Sequence, residues 1–115
     1  MRIAVTSQNF RSITGHAGKS RRFIVYEVAA GADPAEVERL DLPKELSVHE
    51  YHGDDHPLYQ LGLDAILTGS AGHGFVQRMA RQGIRVLATS ETDIPSALDK
   101  LATGQPLPAP LPHEH

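Results

Sequence analysis

A chain of 115 residues, 40% hydrophobic and 22% charged, carries enough apolar material for one core and does not have the composition of a disordered polymer. Its net charge of −3, with histidines counted neutral, supplies no broad positive field for a nucleic-acid backbone. Cysteine is absent, so disulfides and thiolate metal ligands are excluded, and any metal or metal cluster must be held by histidine, carboxylate or backbone.

The amino terminus runs from Met1 and Arg2 straight into Ile3, Ala4 and Val5 without the pattern of a secretory signal, and no apolar run reaches the ~18 residues that span a bilayer. A soluble cytoplasmic domain is expected. Met1 to Thr6 and Phe23 to Val28 are short β-branched and aromatic runs that read as strands. Between them, Ser7 to Ser20 is longer than a tight hairpin and has the length of a functional loop. Asp33-Pro34-Ala35-Glu36 has the form of a helix start, yet Val37 to Leu42 is brief and stopped by Pro43, so a third strand fits equally well.

Pro57 to Gly62 suggests a short helix, and Asp64 to Thr68 a buried strand. The glycine loop Gly69-Ser70-Ala71-Gly72-His73-Gly74 then leads into a helix over Phe75 to Gln82, with Gly83 as its terminator. Ile84 to Ala88 is another strand, and Thr92-Asp93 followed by Pro95 opens a last helix that runs to Gly104. From Gln105 onward, four prolines in eleven residues predict a flexible tail over 105–115 that carries His113 and His115; residues 1–104 form the domain. An antiparallel first half followed by two βα units predicts a mixed sheet with helices packed on it. Ligands then collect beyond the carboxyl ends of the parallel strands, where the loop after the first strand meets the glycine loop after Thr68.

Five of the seven histidines, His16, His49, His52, His56 and His73, fall in or beside expected loops. The spacing of His49, His52 and His56, with Asp54 and Asp55 between, would turn several ligands toward one divalent ion if the segment curves; a solvated polar loop is the plainer reading. Gly72-His73-Gly74 sets an imidazole at a helix start, where unpaired N–H groups favour an anion. On the opposite loop, Gly15-His16-Ala17-Gly18-Lys19, with Arg21 and Arg22, gathers an imidazole, flexible backbone and three cations. No Lys-Ser or Lys-Thr follows the glycines, so the loop is not a nucleotide-hydrolysing P-loop. The first strand ends without the acid a two-metal nuclease needs, and Ser70 near His73 has no orienting acid. No enzyme activity is expected.

The order of Arg2-Ile3-Ala4-Val5-Thr6, Gly15-His16-Ala17-Gly18-Lys19-Ser20, Phe23 to Val28, Asp64 to Gly69 with its glycine loop, and Gly83-Ile84-Arg85-Val86 resembles the nitrogenase iron-molybdenum cofactor biosynthesis and carrier family over most of residues 1–104. That family often has His-Phe-Gly where this chain has His16-Ala17-Gly18. The resemblance implies an α/β, ribonuclease H-like mixed five-stranded sheet, three antiparallel strands and then two βα units, and favours a strand over Val37 to Leu42. It implies non-catalytic binding and transfer of an iron-molybdenum cofactor or its iron-sulfur precursor, with cofactor-assembly or nitrogenase proteins as partners. On that reading His16 and His73 contact the cluster, the backbone of Gly69, Ser70, Gly72 and Gly74 receives its anionic part beside Gly18, and Lys19 and Arg21 offset charge. The alternative is a divalent-metal-binding or regulatory module that acts through His49, His52 and His56 and a protein partner.

Overall fold

The computed structural model describes residues 1–111; His113 and His115 lie outside the described residues. Five strands form one sheet: β1 (Arg2–Thr6), β2 (Arg22–Glu27), β3 (Ala35–Asp41), β4 (Ala65–Thr68) and β5 (Arg85–Ala88), in the order β3-β2-β1-β4-β5. The first three pair antiparallel, and β4 and β5 join parallel to β1 and to each other. This is the ribonuclease H-like topology that the resemblance implies. Helix α1 (His73–Arg81) links β4 to β5, and α2 (Ile94–Thr103) follows.

Because side chains alternate along a strand, the central strands face two cores at once. Ala4, Phe23, Val25 and Ile66 point to the face covered by Phe75 and Met79 of α1, together with Val48 and Leu58 from the long connection between β3 and β4. Ile3, Val5, Ile24, Ala65 and Leu67 point to the other face, where α2 brings Ile94, Ala97 and Leu98. Asp93 caps α2 by accepting from Ser96 N at 2.9 Å, and Gly104 ends it in the left-handed conformation at φ 72°.

The ambiguous segment is a strand, begun at Ala35. Only Leu40 of its seven residues is mostly covered, and Glu36, Glu38, Arg39 and Asp41 leave the sheet edge charged, which discourages pairing with another chain. The Pro57 to Gly62 expectation becomes a single 3-10 turn, Pro57–Gln60. Helix α1 begins two residues before Phe75, at His73. After α2, Leu107 packs on the second core and the Thr89 hydroxyl donates to the Pro108 carbonyl at 2.7 Å. Among the described residues no helix is long and apolar enough to cross a membrane.

Candidate functional site

β1 has an antiparallel neighbour on one side and a parallel one on the other, so the segments leaving β1 and β4 emerge side by side. Their junction is built from backbone. Thr14 N donates to Thr6 O at 2.9 Å, Gly69 N to Thr14 O at 3.0 Å, and Ala17 N to Ser70 O at 3.0 Å. The Thr6 hydroxyl donates to Thr14 O at 2.6 Å, with Thr68 Oγ1 2.8 Å away. Ser70 Oγ accepts from His16 N at 2.7 Å. Two glycines make this approach feasible: a Cβ on Gly15 would sit 2.7 Å from Ser70 Oγ, and one on Gly69 would sit 3.3 Å from the backbone of Gly15. The same wiring holds His16 in the left-handed region (φ 56°, ψ 57°), a conformation that costs a side-chain-bearing residue about 1–2 kcal/mol, at the head of the 3-10 turn Ala17–Lys19.

A second wall comes from the connection between β3 and β4. His49 N donates to Gly18 O at 2.7 Å. From α1, the Arg78 guanidinium donates to the Val48 carbonyl and, at 2.6 Å, to the Tyr51 carbonyl. Behind this wall His56 is fully buried between the rings of Tyr51 and Tyr59. Its Nδ1 accepts from Leu58 N at 3.1 Å, so the proton sits on Nε2, which donates to Leu46 O at 2.5 Å. Burial pushes the His56 pKa below its ordinary value; the bond to Leu46 opposes this, and the charge of Arg78 adds to it.

Between the walls opens a cleft of about 790 Å³ lined by His16, Lys19, His49, Glu50, His52, Ser70 and Arg78, with the backbone of Gly18, Gly72 and Gly74. Two cations and three imidazoles face one carboxylate. Gly72 caps the start of α1 without any side-chain cap, and neither Gly72 nor Gly74 has an atom within 4 Å of where a Cβ would lie. Both have negative-φ or unexceptional backbone and open space beside them, so no internal contact demands glycine there. Room and exposed first-turn N–H groups are what an anionic ligand needs to approach the main chain.

The structure brings His16, Gly18, Lys19, Ser70, Gly72 and Gly74 together, as the two-loop expectation has it. His73 is exposed on α1 and outside the lining, Gly69 lies in the junction beneath, and Arg21 faces an adjoining groove. His49 and His52 join the cleft, but His56 does not: both its ring nitrogens are engaged inside the fold, and among the described residues no three His, Cys, Asp or Glu side chains are placed to hold a metal ion. Ser70 serves as a backbone acceptor. Arg78 was invisible to motif reasoning; beside the buried Met79 it reads as an ordinary helix-surface charge, and only the fold turns it toward the wall.

The sequence profile of the family described as dinitrogenase iron-molybdenum cofactor matches residues 1–104. No curated protein gives a significant sequence match. Among solved structures, the crystal structure of PH0822 superposes with a TM-score of 0.70 at 21% identity, over 91% of this chain and 93% of that one. The apo form of the orange protein from Desulfovibrio gigas gives 0.64 at 23% identity, over 97% and 96%. An NMR structure from Thermotoga, provisionally assigned as a NifB protein of the DUF35 family, gives 0.58 at 16%, over 99% and 98%. At these identities the likeness is one of fold.

Proposed function

The chain belongs to the dinitrogenase iron-molybdenum cofactor family, and on that premise we propose that its cleft carries an anionic metal–sulfur cluster, the iron-molybdenum cofactor or an iron-sulfur precursor, between assembly partners without transforming it. The observation that supports this is the lining: three imidazoles, two cations and two glycines with open space beside them, all at the switch point of the sheet. Imidazole is a ligand suited to iron, and Lys19 and Arg78 would offset the charge of the cargo. A carrier without cysteine holds its cargo reversibly, because no thiolate locks it in place.

The roles follow from position. His16, fixed in its strained conformation by Ser70, would present its ring from one wall, and His49 and His52 from the other. The first N–H groups of α1 would meet the anionic face. His73, outside the lining, contributes little on this reading. The test is anaerobic incubation of the apo-protein with isolated cofactor or precursor, then gel filtration with iron and molybdenum analysis of the protein peak. Metal should co-elute with the parent and leave the His16→Ala/His52→Ala variant, while His73→Ala retains it. Equal retention by the double variant would contradict the assignment.

A further inference from the structure

A second groove of about 490 Å³ runs beside the cleft, lined by Lys19, Arg21, Lys44, Ser47, His49 and Glu50. In a chain of net charge −3 it collects three cations against one carboxylate. Among the described residues none of those cations is in an ion pair. Ser47 is the least exposed lining residue, at 4%. Its main chain is fully used, N–H to Lys44 O at 3.2 Å and carbonyl accepting from Glu50 N and Tyr51 N, yet its hydroxyl makes no hydrogen bond to any described residue. Nor is that oxygen sealed from solvent, since no inaccessible side-chain oxygen or nitrogen lacks a partner. Nearly buried hydroxyls are ordinarily satisfied. Here the hydroxyl reaches solvent in the lining of a cationic groove, where its O–H can turn from water to a bound oxyanion.

We propose that this groove is an oxyanion site, adjoining the cleft and sharing its rim, that takes the carboxylates of an acidic segment of a partner protein. The cations come on long stems from two segments, Lys19 and Arg21 after β1 and Lys44 before β4. Lys44 opens only a three-residue 3-10 turn and no α-helix N-terminus lines the groove, so the fan of converging backbone N–H groups that holds a compact phosphate is not supplied there. Glu50 would repel a compact dianion more than a row of spaced single charges. No Phe, Tyr or Trp is among the lining residues to offer a broad stacking platform for single-stranded nucleic acid. Lys19, His49 and Glu50 belong to both hollows, so an acidic segment seated in the groove touches the rim of the cleft and couples to its occupancy. The site goes beyond the carrier reading and needs no cluster for its test.

The experiment is a fluorescence-anisotropy titration of the whole chain with a labelled hexaglutamate peptide at low and at high salt, with inorganic phosphate as competitor. Saturable, salt-sensitive binding is expected, weakened by at least about tenfold in Arg21→Glu/Lys44→Glu and by about three- to tenfold in Ser47→Ala. Arg21 and Lys44 are exposed and the Ser47 hydroxyl is unpartnered, so thermal melting should stay at the parental value in both variants. If the charge-reversed chain misfolds, Ser47→Ala alone carries the decision. Peptide binding that is unchanged in Ser47→Ala and in the charge-reversed chain overturns the proposal. So does phosphate binding at the groove with no binding of peptide, which would make it a small-anion site.

Discussion

A Cβ on Gly15 would collide with Ser70 Oγ and one on Gly69 would crowd the backbone of Thr14 and Gly15, whereas Gly72 and Gly74 have only open space there. The first pair belongs to the wall where the loops after β1 and β4 are stitched main chain to main chain. The facing wall, residues 46 to 52, has one main-chain bond across to the first, His49 N to Gly18 O, and is otherwise held by side chains reaching from elsewhere, Arg78 from α1 to the Val48 and Tyr51 carbonyls and His56 from behind to the Leu46 carbonyl. One wall is therefore set by what glycine permits, and the other by a few polar side chains that a single substitution removes. The open glycines belong to neither scheme; on the proposed carrier reading they leave room for what enters from outside.

The largest effect should come from His56→Ala. It empties a fully buried site and leaves Leu46 O and Leu58 N without partners, so chemical denaturation should show a loss of about 3 kcal/mol. A loss below about 1 kcal/mol would mean the second wall is held by something else. Next, Gly15→Ala should cost about 2 kcal/mol by forcing Ser70 off His16 N, while Gly72→Ala should stay within about 0.5 kcal/mol of the parent yet lower cluster retention. Equal stability losses in the two variants would erase the distinction between them.

Acid should loosen the second wall selectively. The His56 pKa is lowered by folding, so the unfolded chain binds the proton more readily, and stability falls as pH drops below the ordinary value of 6.5. This one group contributes a slope of at most about 1.4 kcal/mol per pH unit, present until the pH reaches its lowered folded value. Denaturation midpoints measured down the pH scale should lose that component in His56→Gln. The smallest effect is expected for Arg78→Ala: two charge-assisted bonds to partly exposed carbonyls, about 1 kcal/mol in stability, with faster amide exchange at 48–52. Unchanged exchange there would show that Arg78 does not hold the wall.

The elements that position the site were legible where the sequence carries a one-sided physical signal. The apolar runs of β1, β2 and β4 are buried and that of β5 is half-buried at the sheet edge, and Asp93, Pro95 and Gly104 mark both ends of α2. Ala35 to Asp41 was ambiguous because an edge strand exposed on both faces has no alternation to display; pairing with β2 decides it. The meeting of the two loops followed from strand order, and His16 with it. Histidine spacing could not separate His49 and His52, which face the cleft, from His56, which lies beneath it. That difference is one of burial, and the nearest local sign is Pro57, which sets His56 as the cap of the turn that follows.

The most direct test of the carrier cleft is to record amide spectra of the isotope-labelled chain with and without isolated iron-molybdenum cofactor under anaerobic conditions. Cargo held between the two walls predicts signals broadened or shifted at residues 16–19, 48–52 and 70–75, with the β2–β3 edge unmoved. Cofactor that binds while those three stretches stay unchanged, or that perturbs the β3 edge instead, would contradict it.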